Sequence, residues 1–200
     1  ARSITLGVPR GRLAPTLGAE MTTKITVTKL DAARRQLETA IRLFFYDLDP
    51  VSIHTLAAAA SNILIDLASA APSKKSVRSE LLALVRKDKR KWFTDQLRKT
   101  ENFIKHADND PTASHSYDPN LTTIFLFDAV VTYSRLTGDN SAIIQAYHLW
   151  FVTQHPDVYL LPAKCRSNLG AASLAVNQFP KATYFEMIVP LLLRQGLTCT

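Results

Sequence analysis

Leu30, Ala33, Leu37, Ala40, Ile41, Phe44, Phe45 and Leu48 recur at three- and four-residue steps, the period of one apolar stripe on a helix. That spacing predicts a helix near 29–48, with Thr28 as its N-cap. Asp49-Pro50 restarts the chain, because an Asp side chain can accept from the free N–H groups of a first turn and Pro suits the first helical position. A second helix near 50–70 carries Ile53, Leu56, Ala57, Ala60, Ile63, Leu64 and Leu67 on one side. Its run Ala57 to Ala60 is small enough for close approach of another helix.

After a loop at Ala71-Pro72-Ser73, Ser76 can cap a short helix running through Arg86. The Lys/Arg-rich stretch 86–91 leads into a helix near 90–107 with Trp92, Phe93, Leu97, Phe103, Ile104 and Ala107 as its expected buried set. Residues 108–118 are rich in Asp, Asn, Ser and Pro, which is turn chemistry. Asp118-Pro119 repeats the start signal for a helix to about Leu136, which Gly138 ends. Asn140 is placed to cap the next helix, towards Gln154, and residues 166–177 and 181–195 read as helical, with Pro190 kinking or shortening the last. Six to eight helices joined by short links predict an all-α fold, an irregular helical bundle. Residues 1–26 read as a flexible N-terminal extension and 27–200 as a single helical domain.

Composition agrees with that picture. Six glycines in 200 residues are too few for the many tight turns of an all-β fold. No window approaches ~18 uninterrupted apolar residues, so no transmembrane helix and no membrane partner are expected. Cys165 and Cys199 lie far apart and form no C-x-x-C, which suits a reducing, cytoplasmic location better than a disulfide framework. Arg2, Arg10 and Arg12 precede the first acid, Glu20, but no apolar segment of a secretory signal accompanies them. The start is read as an extension, with Met21 an alternative first residue.

The net charge of +7 is unevenly placed. Residues 73–105 hold eleven Lys/Arg against Glu80, Asp88, Asp95 and Glu101, a concentration that can steer an anionic partner such as nucleic acid. A solvated helix face would show the same run. The densest chemistry follows at once, in Asn102-Phe103-Ile104-Lys105-His106-Ala107-Asp108-Asn109-Asp110. Asn102 and His106 are four apart and neighbour each other on one helix, with Lys99 three residues before Asn102. An imidazole titrating near ~6.5 can move a proton at neutral pH, an amide can orient it, and cations can stabilise a phosphate oxyanion. On this reading His106, Asn102 and Lys99 are the candidate catalytic residues and Arg98 and Lys105 the phosphate contacts. His54, Asp108 and Asp110 stand behind them in support, His54 through a contact with His106 across two helices. A histidine near a helix C-terminus is also favoured by the helix dipole, and Asp108 and Asp110 also suit an exit turn.

The segments Asp49 to Ala59 and Asn102 to Asp108 resemble an uncharacterised all-helical family of bacterial proteins with an N-F-x-K-H-A-D motif, over roughly residues 29–150. More distantly, Asn102 followed by His106 late in a helix of a bundle resembles the HEPN superfamily. That resemblance implies a metal-independent ribonuclease or a degenerate relative, dimeric, with Arg and His paired at a shared cleft. Glu101 stands where the superfamily pattern has Arg beside Asn102, and Lys99 and Arg98 are the nearest cations upstream.

Other signatures are missing. No P-loop, dinucleotide glycine pattern or G-x-S-x-G frame is present. His106, Asp108, Asp110 and His115 match neither a zincin His pair nor a calcium loop, so no metal and no cofactor are expected. RNA or a nucleotide is the expected partner, with a homodimer as a further expectation. The alternative is a non-enzymatic helical interaction or dimerisation protein, for which Ile143, Ile144, Leu149 and Phe151 would supply a surplus apolar face.

Overall fold

A computed structural model gives the fold and describes residues 24–71, 78, 80, 82, 86–107, 111–139, 141–155 and 178–195. The expected extension 1–26 falls outside that set up to residue 23, as do Ser76, Asp108, Asp110, Asn140, Cys165, Cys199, the expected helix 166–177 and the side chains of Phe93 and Leu97. The described residues are helical, with no strand among them. Their helices are α1 (Lys29–Phe45), α2 (Pro50–Ser69), α3 (Arg90–Lys105), α4 (Leu121–Thr137), α5 (Ala142–Gln154) and α6 (Lys181–Gln195), with a single 3-10 turn at Lys87–Lys89 leading into α3. The all-α expectation holds.

The helix starts follow local chemistry. Thr28 and Asp31 form a reciprocal capping box at α1, with the Thr28 hydroxyl accepting from the Asp31 N–H at 3.0 Å. Asp49 caps α2 by accepting from the Ser52 N–H at 2.8 Å, with Pro50 in the first turn. Gly138 ends α4 in the left-handed region at φ 69°. Three boundaries differ from expectation. Asp118-Pro119 was expected to open α4, but Pro119 and Asn120 form a turn and the helix begins at Leu121 with no side-chain cap. The α1 stripe was expected to reach Leu48, but the helix stops at Phe45. Asp47 takes φ 49° and the Leu48 N–H folds back to the Leu43 carbonyl at 3.0 Å, leaving Leu48 exposed. Ser141, one residue after Asn140, supplies the α5 cap by accepting from the Ile144 N–H at 3.4 Å.

The core lies between α1, α2, α4 and α5. Leu37, Ile41 and Phe45 of α1 meet Ala57, Ala60 and Leu64 of α2, where the alanines let the two helices approach closely. The adjoining side of α2 faces α4, and the two run parallel: His54 pairs with Thr122 and, two turns on, Ser61 pairs with Asp128. α2 is long and apolar enough to cross a membrane, with a mean hydropathy of 1.4, but its buried His54 and Ser61 find polar partners inside this bundle. The α5 residues expected to form a dimer face are consumed within the chain: Ile143, Ile144 and Phe151 are buried, Leu149 packs on the core, and Phe151 stacks on Phe127 at 4.1 Å. α6 closes one end, with Phe185 stacked on Phe45 at 4.8 Å and the Tyr184 hydroxyl donating to the Ala146 carbonyl at 3.1 Å. Pro190 lies inside α6, which continues through it.

A polar knot crosses this apolar interior. The Asp128 side chain is 3% exposed. It accepts from the Ser61 hydroxyl at 2.8 Å and the Arg78 N–H at 2.7 Å, and the Arg78 guanidinium lies 3.4 Å away. That guanidinium also donates to Ser61 at 2.7 Å and covers the Phe125 ring at 4.8 Å. Arg78 thereby ties the basic segment between α2 and α3 to the α2–α4 seam. Asp128→Ala leaves a buried cation unpaired and is expected to lower stability by about 3–5 kcal/mol. Ser61→Ala is expected to cost about 1 kcal/mol. Urea denaturation of both variants checks the order, and equal losses would show that Arg78 does not depend on the carboxylate.

Candidate nucleic-acid interface

α3 carries most of the candidate residues, and its two faces do different work. Thr100 and Glu101 point inward and are 5% and 7% exposed. Glu101 Oε1 accepts from Asn62 Nδ2 of α2 and from Lys105 Nζ, each at 2.5 Å. The Thr100 hydroxyl shares a hydrogen bond with His115 Nε2 at 2.9 Å. The position beside Asn102 is therefore filled by a buried, paired carboxylate. Lys105, expected to contact phosphate, is held by that carboxylate.

The opposite face is the exposed one. Lys99, Asn102 and His106 lie on it, and so does Trp92, which is 61% exposed. Residues 92, 99 and 106 are seven apart, and a straight helix drifts only ~20° per heptad, so they form one stripe. Its length is roughly 21 Å at 1.5 Å per residue. The expected burial of Trp92 is thus overturned. Position 92 lies about half a turn from Glu101, which faces the bundle, so the indole faces solvent. Ala107 is exposed as well, whereas Phe103 and Ile104 are half-buried as α3 turns against the rest.

Asn102 and His106 are brought together by the backbone alone. The His106 N–H donates to the Asn102 carbonyl at 3.0 Å, and His106, with φ −132° and ψ 134°, is the residue at which the helix opens out. Their side chains make no hydrogen bond to each other among the described residues. Arg98 and Lys99 are exposed and have no acidic partner there either, whereas Lys91 is paired with Asp95 at 2.6 Å and Arg86 with Asp88 at 3.2 Å. Two unpaired cations, an amide, an imidazole and an indole thus share one side of α3.

His54 does not join them. It is 1% exposed, its Nδ1 shares a hydrogen bond with Thr122 Oγ1 at 3.0 Å, and its ring contacts are Tyr117 at 5.5 Å and Phe125 at 5.0 Å. Burial pulls its pKa below the ordinary imidazole value, and Lys105 and His115 act in the same direction against Glu101. Sequence reasoning missed four participants: Trp92 as a surface group, His115 and Tyr117 as inward groups of the connection to α4, and Arg78 as the partner of Asp128. Trp92 was findable, since the residues about two, three and four turns away on its own side, Lys99, Asn102 and His106, are all polar.

A separate cleft of about 280 Å³ opens where the N-terminal ends of α2 and α4 meet, lined by Phe44, Leu48, Ile53, Thr122 and Lys181 among others. Lys181 is occupied there by an ion pair with Asp47 and lies 4.3 Å over the Phe44 ring, so this cleft does not offer the free cations found on α3. No protein-family model, curated protein or solved structure matches the chain.

The contrasting surroundings of the two tryptophans give a direct check. Trp150 packs on Phe44 at 4.9 Å and on the core, so Trp150→Ala is expected to cost about 3–5 kcal/mol. Trp92→Ala is expected to change stability by less than about 0.5 kcal/mol, as at other surface sites. Chemical denaturation measures both, and a large loss from Trp92→Ala would place that indole in a packed environment.

Proposed function

We propose that the chain binds single-stranded RNA along the exposed face of α3. The observation that carries this reading is the Trp92 indole, 61% exposed and in line with Lys99, Asn102 and His106. An unpaired base stacks on an exposed ring, and such stacking is worth about 1–3 kcal/mol per base. Arg98 and Lys99 neutralise phosphates, while the Asn102 amide and the His106 imidazole offer hydrogen bonds to base edges and to the 2′-hydroxyl. A duplex keeps its bases stacked on one another and gives the indole no partner, which favours a single strand.

His106 supports a second reading on the same face, cleavage without a metal. It is exposed at the mouth of the helix, four residues beyond Asn102, where an imidazole can take the proton of a 2′-hydroxyl. The resemblance to HEPN ribonucleases favours that step, and the Glu101 that stands in place of Arg leaves the developing phosphate charge to Lys99 and Arg98.

Binding of a short single-stranded RNA, followed by tryptophan fluorescence and by anisotropy at several salt concentrations, tests the proposal. Affinity is expected to fall with salt at a log–log slope of about −0.7 per phosphate contacted. Lys99→Ala is expected to flatten that slope by about 0.7, and Trp92→Ala to weaken binding about tenfold at every salt concentration. Salt-independent binding, or full affinity in Trp92→Ala, would sink the proposal. The same RNA incubated in EDTA separates the two readings: cleavage by wild type and not by His106→Ala supports the ribonuclease, and intact RNA with both leaves binding alone.

A further inference from the structure

Residues 113–118 form an extended connection from α3 to α4 in which alternate side chains point in and out. Ser114 and Ser116 are exposed, whereas His115 and Tyr117 turn inward. His115 reaches Thr100 of α3 and packs at 5.2 Å on Phe103. Tyr117 lies parallel to His115, their planes 8° apart, and against the ring of His54 on α2. No backbone–backbone hydrogen bond reaches residues 113–117 among the described residues. The connection is therefore held by two inward rings rather than by a ladder.

Those rings cover an unsatisfied interior. His54 Nε2 and Tyr117 Oη are both buried, and neither has a hydrogen-bond partner among the described residues. An orphaned buried polar atom is disfavoured by about 1–3 kcal/mol, and a proton added to that imidazole enlarges the penalty by adding a charge. The groups around it decide whether a charge is tolerated. α3 presents Glu101 and Lys105, the connection presents His115 and Tyr117, and α4 presents only Thr122 and Phe125. The acid that acts on the imidazole, Glu101, is already engaged by Lys105 and Asn62, while Asp49 of the α2 cap acts on Tyr117.

We propose that His54 makes the docking of residues 113–118 a proton-sensitive latch, closed at neutral pH and released in mild acid. Opening the latch brings water to His54 Nε2 and separates His115 from its packed position, while the helices beneath stay folded. The connection yields first because, among the described residues, no backbone hydrogen bond reaches 113–117 and its side chains other than His115 and Tyr117 are exposed. The sign follows from linkage. His54 resists protonation in place, so the open form binds the proton more readily. The closed form is fully favoured above the ordinary imidazole value of ~6.5 and loses ground as pH falls below it. The inference stands apart from RNA binding and needs no ligand.

The His115–Phe103 ring contact, 5.2 Å between centroids, tests it when followed by NMR cross-relaxation in the full chain across pH. The contact is expected to weaken as pH falls from roughly 7.5 to 5 in the wild type, the direction that burial of His54 sets. It is expected to stay unchanged in His54→Gln, which keeps a polar side chain but cannot titrate. A flat wild-type profile, or the same fall in His54→Gln, overturns the latch. Should His54→Gln not fold, ring titration of His54 by NMR in the wild type decides. A ring that charges as the His115–Phe103 contact is lost supports the latch, and a ring that stays neutral throughout the loss refutes it.

Discussion

A carboxylate with almost no access to water sits in the middle of α4, and the arrangement of the bundle follows from what Asp128 requires. It needs donors from several directions, and it obtains them from Ser61 on α2 and from the backbone and guanidinium of Arg78. Meeting that need fixes α2 and α4 side by side and parallel, in a register that also brings His54 to Thr122. It also draws a cation of the basic segment inside, so the positive charge in that stretch is not all surface charge. Asn62, one residue beyond Ser61, then reaches Glu101 and orients α3. The face that α3 turns outward is thus the remainder left by polar pairings in the interior.

Much of the fold was legible because the chain marks its helix starts and stops with local chemistry. Thr28, Asp49 with Pro50, and Gly138 act within a turn of where they stand, and each appears in its expected place. Apolar periodicity located the stripes of α1 and α2 for the same reason. What it could not give was the direction of a mixed stripe. In α3, counting large apolar residues put Trp92 on the buried side, but the inward direction is set by Glu101, whose partners are Asn62, 39 residues earlier, and Lys105. A charged residue reads as outward unless its partners are known. The reading of α5 failed in the complementary way: apolar residues on every side looked like a surplus, yet α1, α4 and α6 pack around that helix and use them.

The candidate site divides along the same line. Lys99, Asn102 and His106 were grouped correctly on one side of a helix, because spacing alone decides that. The supporting role given to His54 needed tertiary knowledge, and its partner, Thr122, is 68 residues away. Phe125, Asp128 and Thr122 all lie on the α4 side that faces α2, but nothing local to His54 announces which helix will cover it.

Two histidines in opposite surroundings now bracket α3. His106 is in water at the end of the helix, and His54 is enclosed on its inner side. The residues between them alternate in duty: Lys99 and Asn102 face out, while Thr100 and Glu101 face in. Because these four are consecutive on one rigid helix, the inner pairings and the outer face cannot reorient separately. A ligand that shifted α3 would strain the Thr100–His115 and Glu101–Asn62 bonds, and release of the 113–118 connection would remove the first of these and the His115 packing on Phe103. Any coupling between the surface of α3 and the protonation of His54 must therefore pass through the setting of the helix itself. Linkage makes it reciprocal, so that whatever proton uptake does to binding, binding does to proton uptake.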